Sequence, residues 1–450
     1  MKSLWEAEVR IPLRKEAEGL LEREVVVIGA GMTGILTAWQ LQRAGKQVAV
    51  AEAGRIAGGQ TGRTTAKITS QHGLKYRRLT ETMGFEKARL YAEANQQAIQ
   101  EYERIVSENR IDCDFRRLPS YLYSTADRET LQREAETAEK LGLPAKFVKD
   151  VELPFETAGA VRFENQAQFH PLRFLEALAG ELEIYENSPV RKVDGTLVRT
   201  DKAMFVAKQV VFATHYPIRN VPGFYFLRQH QERSYVAALT GCEPLQGMYY
   251  SADREGLSLR SAGETLLLGG SAHRTGKNTQ GGAYDSLKEA AEKYFPRGRV
   301  TALWSAEDCM PHDGVPFIGR YSRFRKDWFV ATGYQKWGMS SSMAAALLLT
   351  DLILGRENPR ERVFTPQRLC PGAARAGFWA DAGESVVSLC KGLFHPGACS
   401  GRGRQVCARC THLGCKLTWN PDEESWDCPC HGSRYREDGK LLDGPAQRDL

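Results

Sequence analysis

Val25 to Ile28 is an unbroken run of β-branched residues between a charged stretch and a glycine-rich turn, the pattern of a strand buried on both faces. The residues after it space their apolar positions along one helical face, and a second apolar run, QVAVAE, ends in Glu52. Strand, amphipathic helix and strand in this order predict a βαβ unit and a parallel sheet. Glu264 to Ser271, ETLLLGGS, reads instead as a strand of an antiparallel sheet. Trp328 to Ala331 predicts another strand, which runs through Gly333 and Gly338 into MAAALLLTDLIL from Met343. That last run is about a dozen residues and carries Asp351, short of the roughly 20 that span a bilayer, so it reads as a core helix.

A chain of 450 residues is too long for one core and predicts two or three domains. The net charge of +6 is small beside 61 basic and 55 acidic residues, which argues against nucleic acid as a partner. The first 23 residues are studded with charge and lack the apolar core and small-residue cleavage site of a secretory signal, so a cytoplasmic protein without a transmembrane segment is expected. Of 11 cysteines, Cys113, Cys242 and Cys309 are scattered, and the other eight fall between Cys370 and Cys430. In a reducing compartment such clustering points to metal before disulfide. The chain reads as a large front body and a small cysteine-rich tail.

Gly29, Gly31 and Gly34 follow the first strand in the G-x-G-x-x-G spacing, and Glu52 ends the second strand eighteen residues later. The physical chemistry of each part is distinct. Gly29 makes the tight turn, Gly31 lets backbone approach a pyrophosphate, Gly34 lets helix pack on strand, and the helix N-terminus stabilises phosphate charge. Glu52 is placed to accept hydrogen bonds from a ribose. The alternative is a glycine-rich structural turn. NAD and FAD both use this unit, and the segment AGRIAGGQTGRTTAKITSQHG after Glu52, with Gly59, Thr61, Thr64 and Thr65, suits the diphosphate of the longer cofactor.

That segment resembles the corresponding stretch of the glycine/D-amino-acid oxidase family of FAD-dependent oxidoreductases. QFHPLRFLEAL, QVVFATHYP with Ala213 and Thr214, LLLGGSAHRTG, DGVPFIGR and WFVATGYQKWGMSSSMAAALLL resemble later landmarks of that family in the same order, over about residues 24 to 360. The resemblance implies an α/β fold: a doubly wound, Rossmann-like FAD domain of the glutathione-reductase type, from residues of roughly 24–90, 155–220 and 300–360. An antiparallel-sheet substrate domain is interleaved with it, the whole covering 24–365 after an N-terminal extension of 1–23. It further implies that Gly333, Gly338, Met339 and Ser340 lie against the flavin, where a helix N-terminus stabilises negative charge on the reduced ring. Lys336 stands in the same loop, as a tuning cation or as a solvated surface lysine. Arg260 and His273 are placed like pocket-lining residues of the family. Cys309 and His72 raise the question of covalent flavin attachment, with a packed core cysteine as the alternative.

Thr365 to Gly403 has Pro and Gly at both ends and a helix-like middle from Ala376, which predicts a linker over 366–403 and a separate unit over 404–450. Cys407, Cys410, Cys428 and His431 suit a four-ligand zinc site, but leave His412, Cys415 and Cys430 unexplained. A [2Fe–2S] centre with two Cys on one iron and two His on the other needs two loops that each offer one of either kind, and CTH and CPCH supply that. The boxes C-T-H-L-G-C and C-P-C-H-G-S, twelve residues apart, resemble the Rieske iron–sulfur family. The resemblance implies that Cys410 and Cys428 bind one iron and His412 and His431 the other, with a disulfide between Cys415 and Cys430. Ser433 and Tyr435 stand where family members of high potential place hydroxyls against sulfur, and Gly444 and Pro445 match a family loop. Few strand signals precede Cys407, so an abbreviated all-β domain docked on the flavin body is expected.

Together the two resemblances imply an enzyme acting on CH–NH or CH–NH2 groups. A small-molecule amine or amino acid would be oxidised at FAD, which takes two electrons, and a Rieske [2Fe–2S] cluster would carry them singly to an external one-electron acceptor. The alternatives are a non-catalytic electron-transfer or redox-sensing protein, or reversed flow from an external donor through the cluster to the flavin. Ring-hydroxylating chemistry needs a second His/His/carboxylate iron site, for which the sequence offers no set.

Overall fold

In a computed structural model the described residues are 2–368, 398–401, 404–407 and 409–450, with side chains described for 2–368 and 409–450. The helix-like stretch expected from Ala376 lies outside the described residues, as does the side chain of Cys407 proposed for a zinc site.

The β-branched run forms strand Val25–Ile28 at the middle of a six-stranded sheet. The order is Phe317–Ser322, Arg325–Thr332, Gln209–Phe212, Val25–Ile28, Val48–Ala51, Ile184–Tyr185. Neighbours run parallel except the edge pair Phe317–Ser322 and Arg325–Thr332. Strands from three distant parts of the chain are added on both sides of the first, which makes the sheet doubly wound. Val25, Val27, Ile35, Leu36, Trp39, Met343 and Leu349 share one core, which joins this sheet to helices Met32–Arg43 and Gly338–Ile353. Full burial of each such side chain contributes about 1.5–3 kcal/mol. Among the described residues no helix is long and apolar enough to cross a membrane.

The other large sheet has nine strands. Its longest strands, Gln229–Thr240 and Arg299–Pro311, pair antiparallel and set Gln231 opposite Cys309 and Arg233 opposite Glu307. The sheet is antiparallel as expected, save that Met248–Ser251 runs parallel to Arg116–Ser124. These two strands come from distant parts of the chain, so no hairpin forces them antiparallel.

The first 23 residues are built into the body. Ser3 caps helix Leu4–Glu8 through a capping box, Trp5 is buried, and strand Gly19–Glu22 pairs with Ala203–Val206. The tail carries a four-stranded antiparallel sheet, Thr418–Asn420, Ser425–Asp427, Arg434–Arg436 and Leu441–Asp443. Contrary to the expected scarcity of strands before Cys407, Ala398–Gly401 pairs with Arg404–Cys407. The first of these lies inside the stretch expected to be linker, and its ACSG sequence has no apolar alternation to reveal it. The tail docks on the large sheet: Thr418 Oγ1 donates to the Gly276 carbonyl (2.7 Å), Asn278 Nδ2 to Asp422 (2.7 Å) and Arg274 Nε to the Pro429 carbonyl (3.0 Å).

Candidate functional site

The turn after Val25–Ile28 is shaped by absent side chains. Gly29 has φ +104°, and a Cβ there would lie 2.6 Å from the Ala213 carbonyl oxygen; a Cβ on Gly34 would lie 1.8 Å from that of Gly29. Gly34 therefore brings the helix onto the turn. Gly31 is the N-cap of Met32–Arg43 without a side-chain cap, and helix Gly338–Ile353 likewise begins with no capping side chain at Trp337. Met32 N donates to Thr61 Oγ1 (3.0 Å), and the other first-turn N–H groups, which no N-cap side chain meets at either helix, face an external anion.

Between these ends runs a groove of about 590 Å³. Gly29, Gly31 and Glu52 line it at the first strands, and Gly59, Thr61 and Thr64 along the following loop. Ala213 and Thr214 line it after the third parallel strand, and Gly333, Lys336, Gly338 and Met339 at the other helix start. Glu52 Oε2 accepts from Ala30 N (2.7 Å) and Oε1 from Gly54 N (2.8 Å), while burial pushes its carboxyl up against those bonds. A dinucleotide fits this donor set: glycines without room for Cβ under a pyrophosphate, an acid at one end and a second uncapped helix at the other. Glu52, Thr61 and the two helix starts would hold it.

Four expected site residues lie elsewhere. Thr65 and Ser340 do not line the groove; Ser340 Oγ bonds His72 Nε2 at 3.0 Å. Arg260 is buried behind the cofactor loop, donating from Nη1 to the Ala66 carbonyl (2.8 Å) under the ring of Trp5. Strand alternation turns it towards the N-terminal helix, so it braces the loop from behind and does not line the groove. His273 faces Tyr235, its Nε2 3.1 Å from the hydroxyl, and is also outside the lining. Lys336 lines the groove, its side chain 39 % exposed and Nζ 3.8 Å from Glu232 Oε2. Of the two candidates for covalent attachment, Cys309 is in the wall. His72 is outside it, held by Tyr91, Thr69 and Ser340 and pushed down to about 3 by burial.

In the tail, two loops repeat one design. Cys410 N donates to the Cys415 carbonyl and Gly414 N back to Cys410; Cys428 N donates to the Ser433 carbonyl and Gly432 N back to Cys428. Gly414 and Gly432 turn each loop at φ +87° and +86°. Cys415 and Cys430 form a disulfide between the loops, which removes two sulfurs from the close group of Cys415, Cys428 and Cys430. The rings of His412 and His431 meet edge to face, 5.0 Å apart. His412 Nε2 donates to Asn220 Oδ1 (2.8 Å), and burial holds the ring down to about 4. Its Nδ1 is buried without a hydrogen-bond partner, the arrangement of a neutral imidazole with a ligating nitrogen to spare. The buried thiols of Cys410 and Cys428 share a hydrogen bond, which lowers the first and raises the second. Tyr435 Oη is 3.5 Å from Cys410 Sγ, and Ser433 Oγ accepts from Ala446 N (3.0 Å). These residues fit a [2Fe–2S] cluster with mixed Cys and His ligation, which Cys410, Cys428, His412 and His431 would hold.

The two sites share a wall, for Leu441, Gly444, Pro445 and Gln447 of the tail also line the groove. Gln60 joins them: its Oε1 accepts from Glu307 N (2.7 Å) and its Nε2 donates to Asp443 (3.2 Å). Behind it lies a buried charge network. Arg233 faces Glu307 (3.5 Å), Glu423 (3.7 Å) and Asp443 (3.9 Å), and Arg434 pairs with Glu423, Asp427 and Asp443 at 2.8 to 3.1 Å. Burial lifts the Glu307 carboxyl to about 8 although Arg233 opposes it. Burial would lift Asp443 too, but Arg434, Arg63 and Arg233 hold it far below the usual carboxylate range. Sequence reasoning missed Gln231, Arg233 and Glu307. The available signal was polar residues at alternating buried positions in Gln229–Thr240 and Arg299–Pro311.

The family model for FAD dependent oxidoreductases matches residues 24–352, and that for the Rieske [2Fe-2S] domain matches 389–450. The chain is 35 % identical to a putative Rieske 2Fe-2S iron-sulfur protein of Bacillus subtilis, over 100 % of this chain and 97 % of the relative. Its fold is similar to glycine oxidase from Geobacillus kaustophilus (TM-score 0.67, 20 % identity, 78 % of this chain and 99 % of that one). It is also similar to L-proline dehydrogenase from P. horikoshii (TM-score 0.65, 19 % identity, 77 % and 98 %).

Proposed function

Because this chain belongs to the FAD dependent oxidoreductase family and ends in a Rieske [2Fe-2S] domain, we propose that it is a dehydrogenase of an amine or amino acid that delivers electrons singly to an external acceptor. That it is an FAD oxidoreductase with an iron–sulfur centre follows from the family. The substrate class and the direction of flow are our reading. The observation that supports it is the shared wall: Leu441, Leu442 and Gly444–Gln447, which follow the cluster loops, line the groove that a dinucleotide fits.

When bound, FAD accepts an electron pair from a C–N or C–H bond and the cluster accepts one electron at a time. The chain supplies the positions. Glu52 and the two uncapped helix starts orient the nucleotide and stabilise negative charge. The tail loop Gly444–Gln447 lines the groove, with Gln447 Nε2 donating to the Ile218 carbonyl. His412, anchored on Asn220, and His431, packed edge-on to Phe226 (5.9 Å), place the tail's redox end against the segment that follows strand Gln209–Phe212. Arg260 supports the cofactor loop. Lys336, at the groove, is the cation available to a developing negative charge on the flavin ring.

Anaerobic titration of the holoprotein with a panel of amines and amino acids, followed by absorbance and EPR, tests this. The expected result is bleaching of the flavin band together with a rhombic low-g signal. Flavin bleaching without that signal refutes the relay, and reduction by no amine or amino acid refutes the substrate class.

A further inference from the structure

We propose that Gln231 is the positioning residue that couples the flavin groove to the cluster, an inference that rests on the relay reading above. Gln231 is buried on strand Gln229–Thr240 where the tail docks. Its Nε2 donates to the carbonyls of His431 (2.6 Å) and Gly444 (3.1 Å), both in the tail. Two carbonyl acceptors fix which way the amide points, so Oε1 is the accepting end. It accepts from His215 Nε2 at 3.1 Å and lies 3.7 Å from Cys309 Sγ. His215 and Cys309 are both in the groove wall, whereas His431 is one of the four residues that would hold the cluster. One side chain therefore bonds to both redox sites.

The cluster loop is shaped around this amide. Gly432 has φ +86°, and a Cβ on it would lie 2.5 Å from Gln231 Nε2. Another approach from the groove wall to the His431 ring is that of Tyr216, at 6.5 Å between ring centroids and 65° between planes. Tunnelling decays steeply across gaps and less steeply along covalent and hydrogen bonds, so the path from His215 through Gln231 to the His431 backbone couples more strongly than a through-space ring contact of that length. With both groups bound, each transfer would take one electron from the anionic reduced flavin and would convert one ferric iron of the cluster to ferrous. The external one-electron acceptor would re-oxidise the cluster before the second transfer, and one proton would leave the flavin for solvent per electron pair.

The test compares full-length holoprotein with Gln231→Met, which keeps the length and removes every hydrogen bond, and Gln231→Asn, which withdraws the amide by one methylene. Photoreduced deazaflavin injects electrons anaerobically, and the relaxation between flavin and cluster absorbance is timed. The expected result is relaxation slowed about tenfold or more in Gln231→Met, with FAD content, iron content and both midpoint potentials unchanged. Relaxation at the wild-type rate with both cofactors retained overturns the proposal. Should Gln231→Met lose either cofactor, Gln231→Asn decides by the same criterion. Absence of any flavin-to-cluster relaxation in the wild type refutes the relay itself; a wild-type relaxation that the variants leave unaltered refutes only Gln231.

Discussion

Tyr435→Phe removes one atom, the hydroxyl oxygen, from a side chain that is otherwise buried in strand Arg434–Arg436. That oxygen accepts from Thr411 N (3.1 Å) and lies 3.0 Å from Thr411 Oγ1 and 3.5 Å from Cys410 Sγ. Thr411 Oγ1 donates its own proton to the Arg448 carbonyl at 2.8 Å, so the tyrosine proton is shared between that oxygen and the sulfur. With iron bound the sulfur is a thiolate and draws it. A hydrogen bond to a charged group is worth about 1.5–3 kcal/mol, and a long contact to sulfur belongs at the lower end. Only the part that strengthens when the cluster gains an electron counts, about 1 to 1.5 kcal/mol. At about 59 mV per tenfold for one electron, the variant's midpoint potential should fall by about 40–65 mV. An EPR-monitored redox titration of both proteins, with equal iron content, measures it. A change within about 10 mV, or an upward shift, refutes the reasoning.

Gly34→Ala should abolish FAD retention and lower the yield of folded protein, because its Cβ meets backbone at 1.8 Å; flavin absorbance per chain checks it. Arg233→Met removes one of the two buried guanidiniums of the network, leaves Glu307, Glu423 and Asp443 with Arg434 as the remaining one, and should cost about 3–5 kcal/mol in urea denaturation, a loss under about 1 kcal/mol contradicting it. Glu307, held up at about 8 from an ordinary 4.5, binds a proton when folded that the unfolded chain releases. Its contribution to stability therefore falls as pH rises between those values, and Glu307→Gln should flatten that slope in denaturation midpoints taken across the range. Asp443, held low, acts in the opposite sense and withdraws stability as pH falls through its folded value.

Local rules made much of both sites legible. A β-branched run, glycines at fixed offsets and an acid at the end of the next strand dictate a nucleotide turn wherever they occur, because each answers a constraint within some thirty residues. The paired boxes of the tail are equally local: Cys, His and Gly at set spacings close two like turns, with Gly414 and Gly432 in the left-handed region. Residues whose roles depend on partners far along the chain were not legible. Arg260 and His273, expected at a pocket, are placed by strand alternation and by the helix around Trp5, which pattern alone does not position. The strand Ala398–Gly401 carries no apolar alternation and exists through its pairing with Arg404–Cys407.

The amino-acid sequence by itself thus determined that a nucleotide turn and a two-loop cluster site exist in one chain, since both are set by short-range geometry and donor type. Only the tertiary structure decided that they share a wall. Gln231 meets His431 across 200 positions of sequence, and Arg233 meets Asp443 through a docking of two sheets. No periodicity encodes such a meeting. It arises because buried charges and amides must find partners wherever the packed layers bring them together.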